Sequence, residues 1–149
     1  MKLQWILLLG ACVVVRAANP PPGYNRFVRI HTQTRMVTQD CSRVMRRLQL
    51  NEPGTQNCKY TNTFIVTNPI LEQVEAVCIN AGTRDFAARD IFTSTQRFSL
   101  ITCRLSSGTQ HPDCVYDGTA STRRIRVSCE RDLQNRRILW PTHYEGDVV

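Results

Sequence analysis

Three histidines and one lysine carry the proton chemistry that this sequence offers. His31 lies in the N-terminal part of the chain, His143 lies close to the C-terminus, and His111 sits in GTQHPDC. Imidazole titrates near neutrality, so it can accept or deliver a proton at physiological pH. Seventeen arginines stand against two lysines, Lys2 and Lys59. Lys2 falls in a segment read below as removed, so Lys59 is the single ammonium of what remains. It occupies the stretch CKYTNTF, Cys58 to Phe64. Arginine presents a broad planar fork, whereas lysine concentrates its charge on one small rotatable group that can approach an oxygen on which charge develops. His111 reads as an exposed turn residue. His31, His143 and Lys59 together form a candidate set for general acid–base catalysis beside a fixed cation. Each of the two terminal histidines taken alone is more often structural or merely exposed, so the set with Lys59 carries the reading.

The elements that must position this set can be read in outline. Residues 1–18, MKLQWILLLGACVVVRAA, give a basic start, an apolar run from Trp5 to Val15 and then small residues, the pattern of a secretory signal peptide. Its apolar run is far shorter than the ~20 residues a membrane-spanning helix needs. Cleavage is expected near Ala17 or Ala18, and residues 19–149 are read as one secreted domain. That domain keeps 17 basic against 12 acidic side chains, a net charge of +5. A basic secreted domain suits polyanions, with nucleic acid, sulfated glycans and anionic membrane surfaces as candidates. Six cysteines remain, Cys41, Cys58, Cys78, Cys103, Cys114 and Cys129. An even set in an oxidising compartment predicts three disulfides in one of fifteen pairings. No pair is spaced as CxxC, which argues against a zinc site.

Asn19 to Gly23 (NPPPG) reads as an extended proline-rich arm. Phe27, Ile30, His31 and Thr34 share one face of a predicted short helix, with His31 on the inner side. Asp40 is expected to cap a second helix in which Cys41, Val44, Met45 and Leu48 face inward and Arg43, Arg46 and Arg47 outward. A third helix is signalled by Asn68 as cap, Pro69 in the first turn, and Leu71, Val74 and Cys78 on one side. RFSLITCRL and RRIRVSC alternate as strands, the latter with Ile125, Val127 and Cys129 on one face. Ser107-Gly108 and Asp117-Gly118 read as turns between strands. Helices first and antiparallel strands after, stapled by disulfides, predict an α+β domain.

CKYTNTF, the FVRIH run ending at His31, PTHYE around His143 and the order of the six cysteines resemble the pancreatic-type ribonuclease (ribonuclease A) superfamily across the whole mature chain, in its three-disulfide, angiogenin-like branch. The resemblance implies three helices packed on a long, bent antiparallel sheet, with Cys41 bonded to Cys103, Cys58 to Cys114 and Cys78 to Cys129. It implies an endoribonuclease that uses no metal and no cofactor and cleaves single-stranded RNA after pyrimidines. His31 would be the base, His143 the acid and Lys59 the cation, with a 2′,3′-cyclic phosphate as product. Thr63 would pair with the pyrimidine edge, and Asn62 shares its motif. Phe64 belongs to the core. Arg26 and Arg29 are candidate contacts for flanking phosphates. Tyr144 and Glu145 follow the acid, and Glu145 would orient His143 where the family has an aspartate.

The chain departs from the family pattern in three places. Ile30 stands where the family has glutamine, so weaker phosphate binding is expected. Thr142 replaces a common valine. The segment ERDLQNRRILWPT between Cys129 and His143 is longer than usual, and an enlarged hairpin tip carrying Arg136 and Arg137 is expected to absorb the excess. CSRVMRRLQL resembles the basic second helix of the angiogenin branch, in which a C-terminal tail, here EGDVV, can obstruct the pyrimidine pocket. A second reading from another class follows: an angiogenin-like or antimicrobial cationic effector, with arginine clusters at 46–47, 123–124 and 136–137 and dispensable cleavage. Anionic cell surfaces or glycans and the ribonuclease inhibitor are further candidate partners, and a monomer is the default state.

Overall fold

Pro22 stands at the first turn of α1 (Pro22–His31), where its missing N–H costs nothing and its fixed φ suits the helix. The computed structural model describes residues 18–67 and 71–149, so the expected leader and the Asn68-Pro69 helix start lie outside the described residues. The arm is therefore shorter than NPPPG suggests, since Pro22 and Gly23 are already helical. At the other end Thr32 Oγ1 donates to the Val28 carbonyl at 2.6 Å and closes the helix. The chain then extends as β1 (Thr32–Gln33), which leaves Thr34 outside the predicted helical face.

Asp40 does not cap α2 (Cys41–Arg47) with its side chain. Its carboxylate accepts from the Val37 N–H at 3.0 Å, closing the 3-10 turn Thr38–Asp40, and pairs with Arg43 at 3.0 Å. Cys41, Val44 and Met45 are buried and Arg43, Arg46 and Arg47 are exposed, as the periodicity requires. The third helix is a single α-turn, α3 (Glu72–Glu75), continued by a 3-10 turn (Ala76–Cys78) that buries Val74, Val77 and Cys78.

Six further strands complete the sheet: β2 (Thr61–Val66), β3 (Gly82–Arg84), β4 (Ile91–Ser94), β5 (Phe98–Ser107), β6 (Val115–Arg131) and β7 (Leu139–Val148). Their order is β1-β2-β5-β6-β4-β3, with β7 also paired to β6. All pairings are antiparallel except β1 with β2, which is parallel and makes the sheet mixed. The 17-residue β6 spans both halves of the sheet. Its first part, to Arg123, pairs with β5, and the part from Arg124 onward pairs with β7 and β4.

Asp117 and Gly118 lie inside β6 and make no turn. The glycine answers a packing need, because a Cβ there would stand 2.4 Å from the Thr38 carbonyl oxygen and 2.9 Å from Cys41 Sγ. The 3-10 turn before α2 rests directly on that backbone. Ser107-Gly108 does leave β5, with Gly108 at φ +91°.

Two apolar clusters fill the interior. Phe27, Ile65, Val74, Val77, Leu100, Ile125 and Val127 form one between α1, α3 and the sheet, and Val44, Met45, Phe64, Ile101 and Tyr116 form the other beneath α2. Full burial of a ring such as Phe27 contributes about 2–3 kcal/mol. The disulfides join Cys41 to Cys103, Cys58 to Cys114 and Cys78 to Cys129, as the resemblance implies. Their sequence separations of 51 to 62 residues make each worth about 4 kcal/mol in chain-entropy terms.

The long segment after Cys129 forms the tip of the β6–β7 hairpin, with Arg136 and Arg137 exposed on it. Asp132, 3% exposed, organises the tip from inside. It accepts from the Gln134 and Asn135 N–H groups at 2.9 and 3.0 Å and from Trp140 Nε1 at 3.0 Å. The enlarged loop is therefore pinned, and it holds the register that delivers His143.

Candidate active site

His31 ends α1 one turn after Phe27, whose ring is buried and lies 5.7 Å from the imidazole, centroid to centroid. Its Nδ1 lies 2.9 Å from the Thr63 carbonyl of β2. A carbonyl can only accept, so Nδ1 carries the hydrogen and Nε2 of the neutral ring is left as the basic atom. Burial pushes the His31 pKa down to about 4, the Thr63 carbonyl opposes that fall, and Lys59, Arg26 and His143 add to it by like charge. The ring is a free base at neutral pH.

Asn62, 3% exposed, ties that helix end to the lysine. Its Nδ2 donates to the Ile30 carbonyl at 2.9 Å, and its Oδ1 accepts from Lys59 Nζ at 2.9 Å. Lys59 is half-buried, and that desolvation lowers its pKa most, with Glu52 opposing and Arg26 adding. Its backbone carbonyl accepts from Tyr116 Oη at 2.6 Å, which fixes the main chain independently of the ammonium.

His143 comes from β7, where the register against β6 slips twice. Thr142 and Glu145 are the extra residues on either side of His143-Tyr144, since Cys129 pairs with Pro141, Ser128 with His143, Val127 with Tyr144 and Arg126 with Gly146. Bulges of this kind re-aim side chains. The exposed His143 ring faces the cleft with Nε2 3.8 Å from Glu130 Oε1. Glu145 is turned away from it and accepts from Ser128 Oγ at 2.6 Å, so the carboxylate beside His143 is that of Glu130. Tyr144 stacks over His31 at 5.2 Å and 25°, and its hydroxyl donates to Asp147 at 3.0 Å.

A cleft of about 140 Å³ brings Arg26, Ile30, His31, Lys59, His143 and Tyr144 together. Ile30 lines this cleft with a partly buried apolar side chain. Arg29 is committed elsewhere, donating to the Leu48 carbonyl. Thr63 Oγ1 lies 3.1 Å from Thr102 Oγ1 on the neighbouring strand. His111, half-buried in its turn, is not part of the cleft. The tail EGDVV continues β7 alongside β6 as far as Val148, with Asp147 also paired to Arg123.

Glu130, Ser128, Thr102 and Asp147 are contacts that sequence reasoning missed. All four arise from strand register and bulges, which leave no local spacing signal.

A base at His31 should work in acid. Because its pKa lies below the ordinary histidine value, kcat/KM measured from pH 3 to 7 is expected to hold up through the usual histidine range of about 6.5 and to fall only as pH approaches the lowered value. Stability follows the same displacement. The unfolded chain takes up this proton near pH 6.5 and the folded chain only near 4, so the contribution is full above about 6.5 and is lost as pH falls between the two values.

The sequence model of the family described as pancreatic ribonuclease matches residues 22–145. "Ribonuclease-like 3" of Danio rerio is 40% identical over 149 residues, covering 97% of this chain and 94% of that protein. "Angiogenin" of Rhinopithecus avunculus is 36% identical over 108 residues, covering 72% of this chain and 64% of that protein. The solved structure titled "RNASE ZF-3E" superposes with a TM-score of 0.75 at 39% identity, covering 85% of this chain and 97% of that one.

Proposed function

This chain belongs to the pancreatic ribonuclease family, and from that premise we propose that it is exported and cleaves single-stranded RNA on the 3′ side of pyrimidines through a 2′,3′-cyclic phosphate. Its enzymatic class, a pancreatic-type endoribonuclease acting on RNA, comes with the family. The observation that carries the finer reading is the His31 tautomer set by the Thr63 carbonyl, with Lys59 and His143 on the same cleft.

His31 Nε2 takes the proton of the 2′-hydroxyl, whose oxygen attacks phosphorus. His143 delivers a proton to the departing 5′-oxygen, so the leaving group departs as a neutral alcohol. Lys59 faces the nonbridging oxygens, where negative charge grows in the transition state and a preplaced cation acts most strongly. Hydrolysis of the cyclic phosphate runs with the two histidines exchanging roles. Glu130 lies 3.8 Å from His143 Nε2, so Nδ1 is the nitrogen we assign to the leaving oxygen. The Thr63 hydroxyl, held by Thr102, supports the reading of a pyrimidine edge at that position, and Arg26 that of a flanking phosphate.

The experiment is digestion of poly(C) and poly(A) by the wild type and His143→Ala. Poly(C) is expected to be cleaved about 100-fold faster than poly(A), because a site built to hydrogen-bond one base edge leaves its polar groups unpaired with another. Equal rates on the two polymers would remove the pyrimidine assignment. Equal cleavage by the variant would remove His143 from the mechanism.

A second reading, a cationic effector acting on anionic cell surfaces, is favoured by one observation. Phe86 projects fully into solvent beside the exposed Arg84 and Arg89, outside the cleft that holds His31, Lys59 and His143. A variant without ribonuclease activity that keeps full effect on cells or bacteria would support it.

A further inference from the structure

The leader reading leaves two candidate bonds, and the hairpin tip discriminates between them. The Asn19 N–H donates to Oδ2 of Asp132 at 2.8 Å, and the Asn19 carbonyl accepts from the Leu133 N–H at 2.8 Å. Asp132 is thus met by four N–H donors, from Asn19, Gln134, Asn135 and Trp140. Burial works to raise its pKa, and these donors more than reverse that, so the carboxyl is held ionised. Every donor that reaches it is neutral. Among the described residues no Lys, Arg or His nitrogen lies within ion-pair range of Asp132. A buried carboxylate lacking a counter-charge is an expensive arrangement, and an ammonium at one of its donors would relieve it.

We infer that the leader is cut at the Ala18–Asn19 bond and that the α-ammonium released there docks on Asp132 as its counter-ion, latching the hairpin that carries His143. The inference rests on the leader reading above. In the cleavage, a leader peptidase adds water across the C–N bond. The hydroxyl goes to the Ala18 carbonyl carbon, which departs as a carboxylate, and the nitrogen takes up protons to become an ammonium. That nitrogen already lies 2.8 Å from the carboxylate oxygen, so a neutral hydrogen bond becomes a charge-assisted one with no rearrangement. A cut after Ala17 would leave the same nitrogen as an amide and Asp132 without a cation.

The latch reaches the catalytic elements. Oδ2 of Asp132 also holds Trp140, three residues before His143, and the Trp140 ring packs at 4.7 Å on Tyr24 of α1, the helix that ends in His31. The α-amino group has an ordinary pKa of about 7.7–8.0, which a carboxylate partner raises in the folded chain. The stabilisation is therefore full below about pH 8 and is lost as pH rises through the higher folded value.

Trp140 is the sole tryptophan once Trp5 is removed, so its fluorescence reports on the latch. The test has two arms. In the first, the protein secreted by animal cells is sequenced from its N-terminus, and Asn19 is expected as the first residue. A chain starting at any other residue overturns the assigned bond, and a chain starting at Met1 overturns the leader reading itself. In the second, chains beginning at Asn19 and at Ala18 are melted across pH 6 to 10. The Asn19 chain is expected to melt about 5 °C higher at pH 6.5, with the gap closing at high pH. Its Trp140 emission should titrate with a midpoint above 8, a transition lacking in the Ala18 chain. Equal melting temperatures at pH 6.5, or identical titrations, overturn the latch whichever bond is cut. Asp132→Asn is expected to abolish the gap, and the two unmutated chains decide the question even if that variant does not fold.

Discussion

Lys59→Arg is expected to lower kcat/KM on a cytidine–adenosine dinucleotide by about 100-fold, the order lost when one preorganised charge stabiliser is removed. The charge is conserved in this exchange, so the loss isolates shape. Lys59 Nζ is held 2.9 Å from Asn62 Oδ1 in a half-buried niche at the mouth of the cleft. A guanidinium is broader, spreads its charge over three nitrogens and cannot place one compact cation against a nonbridging oxygen. Folding should be little affected, because the main chain at this position is fixed through the Lys59 carbonyl and Tyr116, a contact that does not depend on the side chain. Steady-state kinetics paired with a thermal melt checks both halves. Near-normal turnover would remove Lys59 from the chemistry, and a collapse of the melting temperature would make it a structural residue.

His31→Ala is expected to cost more, about 10³–10⁴-fold in kcat/KM, the upper range for a positioned general base. Its structural effect is also predictable. The part-buried Thr63 carbonyl loses its donor, which costs at most about 1–3 kcal/mol, so kinetics should be measured well below the variant's melting temperature. The residual activity should also lose the acidic limb that His31 imposes on the pH profile. A variant that keeps that limb would place the titrating base elsewhere.

Helix content near the site was readable because periodicity and capping are local. Phe27 and His31 one turn apart, or Cys41, Val44 and Met45 on one face of α2, follow from 3.6 residues per turn, and the structure buries Phe27, Cys41, Val44 and Met45 and half-buries His31. The strand character of β5 and of the second half of β6 was legible for the same reason, since alternation is local too, whereas which strand each pairs with is not. Asp117-Gly118 misled because a glycine chosen for contact with Thr38 and Cys41 has the same letters as one chosen for a turn. Asp40 misled because a carboxylate that closes a 3-10 turn and one that caps a helix differ only in which N–H they reach. The environment of His143 was the least legible. Glu130 and Glu145 lie fifteen residues apart in the sequence, and the choice between them was made by two bulges in β7. Nothing in PTHYE announces where such a slip will fall.

The hairpin insertion illustrates how one buried group can compensate for added length. A longer connection between Cys129 and His143 would ordinarily loosen the register that aims the imidazole. Asp132 prevents this by gathering backbone N–H groups from its own tip and the indole of Trp140. Two exposed arginines, Arg136 and Arg137, then ride on a rigid support.

The proton-transfer roles of the two histidines are separated most directly by changing the leaving group. An acid matters when the departing alkoxide is poor and becomes dispensable when a nitrophenolate departs unaided. His143→Ala should therefore lose about 10³-fold or more in kcat/KM on a dinucleotide yet retain near wild-type kcat/KM on a uridine 3′-(4-nitrophenyl phosphate), while His31→Ala loses activity on both. Equal losses for His143→Ala on the two substrates, or none on either, would contradict the assignment of two converging imidazoles as base and acid.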